Sequence, residues 1–183
     1  MTTITKQRAI KRSHMYIWMF GINDIVYFGR TWDELKLFLK RLDDHIGDTK
    51  YVFIHNLAFE FQFMRFLHEW KKVFATDERK VLYAKAETAF IYRCSYFLSG
   101  MNLALLADSI GSVSKMKGDL DYSLYRHSET PLTVKELRYC VHDDLIVLEY
   151  IRQCIEREKG YITRIPLTKT GYVRRYCKEQ CYF

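Results

Sequence analysis

The sequence predicts an α/β domain built from layered helices and strands. Short runs of β-branched and aromatic residues are separated by segments whose apolar residues recur at helical spacing, and two of these segments begin with a capping box. No internal repeat, low-complexity tract or linker divides the 183 residues, which are enough for one domain with a buried core. Strands and helices in this order are typical of α/β folds.

The first predicted elements are a hairpin and a helix. Residues 16–22 and 25–29 are β-branched and aromatic runs joined by the polar turn Asn23-Asp24, which is typical of two adjacent strands. Thr31-x-x-Glu34 is a capping box, and we expect it to begin a helix that ends near residue 42. The apolar stripe of that helix comprises Leu35, Phe38, Leu39 and Leu42.

A buried strand and a second helix should follow. Residues 50–55 contain the run Tyr51-Val52-Phe53-Ile54, whose lack of alternation predicts a strand covered on both faces in the interior of the sheet. Asn56 is placed to cap a helix that begins at Leu57 and continues to about Trp70.

The second half of the chain is predicted to add one strand and two helices. Apolar residues alternate between Phe90 and Leu98, which predicts a strand, and residues 102–110 fit a short helix. Thr133-x-x-Glu136 is a second capping box, and we expect its helix to reach about residue 159. The core stripe expected for this long helix is Leu137, Val141, Leu145, Leu148, Ile151 and Ile155.

Composition excludes several protein classes. Hydrophobic residues make up 49% of the chain, which argues against a disordered protein. No apolar run reaches the roughly 18 to 20 residues of a membrane helix and no signal-peptide pattern opens the sequence, so we expect a cytoplasmic protein of a bacterial host that contacts no membrane. The five cysteines are an odd number in apolar segments, which predicts reduced thiols without disulfides. Cys177 and Cys181 are one helical turn apart, but no second ligand pair lies near them to complete a zinc site.

The net charge of +7 is concentrated at the two ends of the chain. Residues 1–14 contain four basic and no acidic side chains, and residues 160–183 contain five basic and one acidic, so the middle is close to neutral. We therefore divide the chain into a basic segment at 1–14, a domain at 15–160 and a basic extension at 161–183. The two ends are suited to neutralise phosphates or an acidic protein, although solvated tails would have the same composition.

Glu60 and Asp143 are candidate catalytic carboxylates by position. Glu60 lies in the first turn of the helix after the buried strand, and Asp143 lies on the long helix away from its core stripe. Tyr139 is four residues before Asp143, so both project from one face, where a hydroxyl beside a carboxylate can hold a metal and orient a water. Two surface polar residues on an amphipathic helix would show the same spacing.

Together with their neighbours, these residues resemble motifs of the 3′→5′ exonuclease domain of protein-primed family B phage DNA polymerases. His55-Asn56-Leu57-Ala58-Phe59-Glu60 is similar to the second exonuclease motif, with Glu where many members have Asp. Tyr139-Cys140-Val141-His142-Asp143 matches the third motif, and Met116-Lys117-Gly118-Asp119-Leu120-Asp121-Tyr122 is similar to the lysine-containing segment that precedes it. The resemblance spans about residues 15–160, and residues 166–175 are similar to the start of the polymerisation portion.

The resemblance implies an RNase H-like (DnaQ-like) exonuclease fold, with a central mixed sheet flanked by helices and four carboxylates that hold two divalent metals. In the family the first motif, Asp-x-Glu, lies on the opening strand shortly before a threonine-rich stretch. Thr2, Thr3 and Thr5 match that stretch, but the sequence starts at or just after the motif, so we expect the first strand to be truncated or replaced. With Glu60 and Asp143 as the remaining anionic ligands, the resemblance implies weak metal binding at most and little or no exonuclease activity. No cofactor would be required, and Mg²⁺ or Mn²⁺ would serve only residual nuclease activity.

The same resemblance implies a DNA site that is better preserved than the catalytic one. The residues expected to hold a frayed single-stranded 3′ end are His55, Asn56, Leu57, Phe59 and Phe63, with the Phe59 ring stacking on a base. Lys117 would face a phosphate, and Arg174 and Arg175 are further candidate contacts to a single strand or a duplex. Core packing is the alternative role for the phenylalanines.

Loss of the first strand would also leave two unpaired sheet edges, one on the hairpin and one on the strand at residues 51–54. Residues 2–10, a second copy of the chain or a captured partner protein could complete the sheet, so we expect an oligomer or a complex.

Three functions are compatible with the sequence. The first is a stand-alone, phage-derived and catalytically inactive DNA-binding protein that interferes with a nucleic-acid enzyme such as a nuclease or polymerase, with anti-CRISPR inhibition as one form. The second is a metal-dependent 3′→5′ proofreading exonuclease, as a fragment or as a subunit of a split polymerase. The third is a fragment or decayed gene product without an independent role.

Overall fold

The structure is a computed structural model that describes residues 14–77, 80–113, 116 and 125–181. Six strands are present in the described chain: β1 (Trp18–Ile22), β2 (Ile25–Gly29), β3 (Lys50–Ile54), β4 (Trp70–Ala75), β5 (Val81–Ala86) and β6 (Phe90–Cys94). The α-helices are α1 (Trp32–His45), α2 (Leu57–Met64), α3 (Ser95–Ser99), α4 (Leu103–Ile110), α5 (Val134–Arg157) and α6 (Lys169–Cys181), with a short 3-10 helix at Ile162–Arg164.

The strands form a mixed four-stranded sheet and a separate hairpin. The order in the larger sheet is β3-β6-β5-β4, with β3 parallel to β6 and the other neighbours antiparallel. β1 and β2 pair antiparallel in a sheet of their own, through the turn predicted at Asn23-Asp24. The predicted hairpin is therefore confirmed, as is a mixed sheet flanked by helices.

Both capping boxes form as the sequence predicts. The Thr31 hydroxyl accepts a hydrogen bond from the backbone N–H of Glu34, whose carboxylate accepts from the Thr31 N–H in return. Thr133 and Glu136 do the same at the start of α5. These reciprocal bonds satisfy backbone donors that the helix itself cannot. Hydrogen bonds from the backbone N–H groups of Arg30 and Thr31 lower the pKa of Glu34, and the bond from Thr133 lowers that of Glu136.

Several predicted boundaries in the middle of the chain are wrong. α2 ends at Met64 rather than near Trp70, and Trp70 begins β4, so the sequence analysis missed β4 and β5. The predicted strand at residues 90–98 ends at Cys94, after which the chain enters α3. The strand β6 lies between two neighbouring strands and is buried along its whole length. The alternating pattern in the sequence indicated a strand with one buried face, so more of β6 is buried than predicted.

Helices cover both faces of the larger sheet. Phe90, Tyr92 and Cys94 of β6 point into a core shared with Leu35 and Leu39 of α1 and Leu57 of α2. A second core on the other face comprises Leu98, Leu106, Ala107, Ile146, Tyr150, Ile151, Cys154 and Ile165. Arg93 of β6 is buried on this second face and donates to the Ile165 carbonyl at 2.7 Å, which ties the chain after α5 to the sheet.

α5 packs against β1, β2 and β3, and so contacts both the hairpin and the larger sheet. Its buried positions are Ile146, Tyr150, Ile151 and Cys154. The expected stripe is right at Ile151 and at Ile155, which packs against the same core, and its other members are half-buried. The most buried face also includes Ile146, Tyr150 and Cys154, which the stripe did not contain.

β3 is predicted to lie inside its sheet, and among the described residues one neighbouring strand, β6, is present. Within the described ranges it pairs with β6 on one side only, and the hairpin pairs with no strand beyond itself. The edges of the hairpin and of β3, which the sequence analysis expected to lack a partner strand, pair with no further strand among the described residues.

No helix in the described part of the chain is long and apolar enough to cross a membrane. All five cysteines are free.

Candidate nucleic-acid interface

The candidate site lies where the parallel strands β3 and β6 end. Ile54 is paired with Cys94, so the residues that follow each strand, His55 and Ser95, emerge at the same edge of the sheet. His55 Nδ1 lies 3.1 Å from the buried Ser95 hydroxyl, and the imidazole packs edge-on against the Tyr96 ring. These contacts fix the orientation of the half-buried His55 ring.

Asn56 makes the sharp turn from β3 into α2. Its backbone is left-handed, with φ 64° and ψ 48°, a conformation that asparagine tolerates better than most residues. The Asn56 carbonyl accepts hydrogen bonds from the backbone N–H groups of Phe59 and Glu60, while its side chain makes no capping bond. Asn56 therefore begins the helix by its backbone geometry, and its exposed side-chain amide takes no part in capping.

Leu57 anchors the helix, whereas the aromatic residues of α2 present the surface. Leu57 is fully buried in the core, so its side chain positions its neighbours and does not itself reach a ligand. Phe59 and Phe63 are one turn apart, with ring centroids 5.3 Å apart in an edge-to-face arrangement. Phe59 remains 53% exposed, so its ring is open to contact from outside the protein.

Glu60 is the carboxylate nearest these rings along the chain. The residue is open to solvent, yet surrounding protein desolvates its carboxyl and raises its pKa. Desolvation of a carboxylate is unfavourable unless a cation or hydrogen-bond donor offsets it, so Glu60 is suited to receive a positive group.

Tyr139 and Asp143 lie on α5, one turn apart and half-buried, as their spacing predicts. Next to them, Asp144 points toward the hairpin, where its Oδ2 atom is buried and accepts no hydrogen bond in the described chain. Burial raises the pKa of Asp144 to about 6. Burial, together with the carboxylates of Asp143 and Glu136, also raises the pKa of the Cys140 thiol to about 11. This stretch of α5 thus concentrates negative charge in a poorly solvated place.

The described residues do not assemble a metal centre. Among residues 14–77, 80–113, 116 and 125–181, no three His, Cys, Asp or Glu side chains are grouped closely enough to hold an ion. Residues 1–13 contain none of these four residue types. A pair of divalent metals needs several carboxylates to offset the repulsion between the ions, so the described residues by themselves do not form the two-metal arrangement implied by the resemblance.

Other predicted contacts have mixed outcomes. Lys117 lies outside the described residues, as does the rest of its segment except Met116. Arg175 forms an ion pair with Glu158, donates to the Arg164 carbonyl at 3.1 Å and packs on the Tyr172 ring, so it holds α6 against the end of α5. Arg174 is exposed on α6.

One feature of this surface was missed from the sequence. A groove of about 590 Å³ continues from Phe63 toward the start of α1, where Trp32 packs edge-on against Phe66 at 4.8 Å. Trp32 and Phe66 are 34 positions apart in the chain, so the fold brings them together.

Comparison with known proteins shows a structural likeness only. No protein-family model matches the chain, and no curated protein sequence matches it. Among solved structures, Phi29 DNA polymerase complexed with single-stranded DNA superposes with a TM-score of 0.64 over 86% of this chain, at 13% sequence identity. The chain corresponds to 30% of the length of that polymerase. The fold is therefore that of one part of a phage DNA polymerase.

Proposed function

We propose that this chain is an exonuclease-like protein of RNase H-like fold that binds single-stranded DNA through the aromatic face of α2 and does not hydrolyse it. The observation that carries the proposal is the exposed Phe59 ring, packed against Phe63 on the helix that begins where β3 ends. Base stacking on such a ring is tolerant of sequence and stabilises binding by about 1–3 kcal/mol per base. The likeness to a polymerase solved with single-stranded DNA supports the same choice of ligand.

The lack of hydrolysis follows from the available carboxylates. We expect no hydrolysis because two divalent ions need several carboxylates, and the described residues hold no group of three His, Cys, Asp or Glu side chains that could bind an ion. Binding would then rest on stacking and on phosphate neutralisation by the basic groups, of which the chain has an excess of seven.

Binding and its dependence on Phe59 can be tested by fluorescence anisotropy with a labelled single-stranded oligonucleotide. Phe59→Ala should weaken binding by about fivefold or more, because one stacking surface is lost. Phe74→Ala is the matched control, since Phe74 is 47% exposed on β4, at the sheet edge opposite β3. Equal binding by wild type and Phe59→Ala would contradict the site. The logarithm of affinity should also fall linearly with the logarithm of salt concentration, by about 0.7 for each phosphate contact.

The alternative function, a metal-dependent 3′→5′ proofreading exonuclease or a subunit of a split polymerase, is favoured by one observation. The raised pKa of Glu60 is a feature that functional carboxylates share. Release of 3′ nucleotides in Mn²⁺ that disappears in Glu60→Gln would replace our proposal with this one, whereas an oligonucleotide that stays full length supports binding without cleavage.

Interference with a nuclease or polymerase, including anti-CRISPR inhibition, is a further proposal that stands on the sequence alone. Co-purification of such an enzyme with the tagged chain, and its inhibition by the purified chain, would identify the target.

A further inference from the structure

The groove between α1 and the end of α2 has the chemistry of a path for a nucleic-acid strand. Aromatic rings form one wall, where Trp32 and Phe66 pack edge-to-face with ring centroids 4.8 Å apart and Phe66 remains 52% exposed. The groove volume of about 590 Å³ lies within the range of sites that enclose small organic ligands. Flat rings at this spacing offer stacking surfaces that any base can use.

Charge in the groove favours an anionic ligand. Arg65 lines it, is exposed, and has no acidic partner among the described residues. Lys36 lies over the Phe66 ring, with its Nζ 5.1 Å from the ring centroid, at the same wall. The other described lining residues include His14 and Gln62, and none of them is acidic. A wall that combines aromatic rings with cationic side chains is typical of single-strand sites.

The groove is continuous with the site on α2. Phe63 lines the groove and also contacts the exposed Phe59 ring, so one side chain belongs to both surfaces. A strand whose terminal base stacks on Phe59 would pass Phe63 and enter the groove toward Phe66 and Trp32.

We propose that this groove binds the nucleotides of a DNA single strand that lie upstream of its 3′ end, with bases against Trp32 and Phe66 and a phosphate at Arg65. The inference rests on the proposed function, which it extends from one base contact at Phe59 to a strand several nucleotides long.

The test compares oligonucleotides of two lengths, because a short one can occupy the Phe59 site alone. Labelled deoxythymidine oligonucleotides of about 4 and about 12 nucleotides span the usual range of single-strand site sizes. The double variant Arg65→Gln/Phe66→Ala alters two exposed side chains and so preserves the fold, which circular dichroism will verify. Lys72→Gln/Phe74→Ala, equally exposed on β4, is the matched control.

The inference predicts that the groove variant binds the long oligonucleotide about tenfold more weakly and the short one as well as wild type does. For the long oligonucleotide, the slope of the logarithm of affinity against the logarithm of salt concentration should become shallower by about 0.7. This is the value for one lost phosphate contact with a single strand. Phe59→Ala should weaken the binding of both the long and the short oligonucleotide.

The outcomes separate the two proposals. If the groove variant binds both oligonucleotides like wild type, or loses the same fraction of its affinity for both, the groove does not bind the strand. Either result leaves the proposed site at Phe59 unaffected. If wild type binds neither length, the proposed function itself fails and the groove inference falls with it.

Discussion

The packing of the hairpin against α5 makes Gly21 sensitive to a single added methyl group. A Cβ atom at this position would lie 2.4 Å from Leu148 Cδ1, 2.7 Å from Leu148 Cγ and 2.5 Å from Asp144 Oδ2. Since carbon atoms pack best about 3.5–4.0 Å apart, either Leu148 must leave its rotamer or β1 must move away from the helix. Gly21→Ala therefore tests the contact that joins the hairpin to the helix carrying Tyr139 and Asp143.

We expect Gly21→Ala to lower the free energy of unfolding by about 1–3 kcal/mol, the usual range for overpacking. For a chain of this size each kcal/mol corresponds to about 2–4 °C in Tm. Urea unfolding, followed by tryptophan fluorescence and by circular dichroism, measures the change. Gly47→Ala is the matched control, because a Cβ there would meet nothing within 4 Å.

A second variant shows whether the clash is the cause. A Leu148→Ala background removes one of the two obstructing side chains and leaves Asp144, so Gly21→Ala should cost at least about 1 kcal/mol less than in wild type. An equal cost in the two backgrounds, or a cost no larger than that of Gly47→Ala, would refute this packing.

Two other predictions concern charge and assembly. Burial raises the pKa of Asp144 to about 6, above the value of about 3.9 for an unfolded aspartate, so the folded chain keeps this proton to higher pH and loses stability from this group as pH rises from about 4 to about 6. Asp144→Asn should therefore raise the free energy of unfolding by about 1–3 kcal/mol near about pH 7.5 and by little near about pH 4. Asp108 is exposed on α4, so Asp108→Asn should change the free energy of unfolding at neither pH. An effect of Asp144→Asn that does not depend on pH would contradict the assignment. The edges of β1–β2 and β3 predict that the chain self-associates or forms a complex with a partner. Light scattering during size-exclusion chromatography measures the mass of the assembly. A strictly monomeric chain with full DNA binding would count against this prediction.

Local signals in the sequence predicted the elements whose information is local. Thr31 with Glu34, and Thr133 with Glu136, specify helix starts through bonds within four residues, and both form. The hairpin turn at Asn23 is likewise local, and its backbone adopts a positive φ. These elements were therefore readable without knowledge of the fold.

Elements set by distant contacts were harder to predict. The helix predicted from Leu57 to Trp70 ends at Met64, because Trp70 packs on Phe61 and Tyr92 as the first residue of β4. The run at residues 51–54 predicts an interior strand, but the strands that pair with it are set by distant residues, and β6 is its one partner in the described part of the chain.

The candidate site divides in the same way. The turn at Asn56 and the one-turn spacing of Phe59 and Phe63 follow from adjacent residues, and the structure places them as a contiguous surface. The Trp32–Phe66 contact joins two elements far apart in the sequence, so no motif indicates it. The inaccessibility of Leu57 likewise depends on the core that surrounds it.

The most direct measurement of the central claim locates the 3′-terminal base on the chain. An oligonucleotide carrying 5-iododeoxyuridine at its 3′ end is photocrosslinked to the wild-type protein, and the adduct is mapped after trypsin digestion. Cleavage after Lys50 and Arg65 places Phe59 and Phe63 in the peptide 51–65, apart from Phe66 in the next peptide. Our account predicts that the adduct lies in the peptide 51–65. Crosslinks confined to α6, or spread evenly over the basic ends of the chain, would contradict a stacking site on α2.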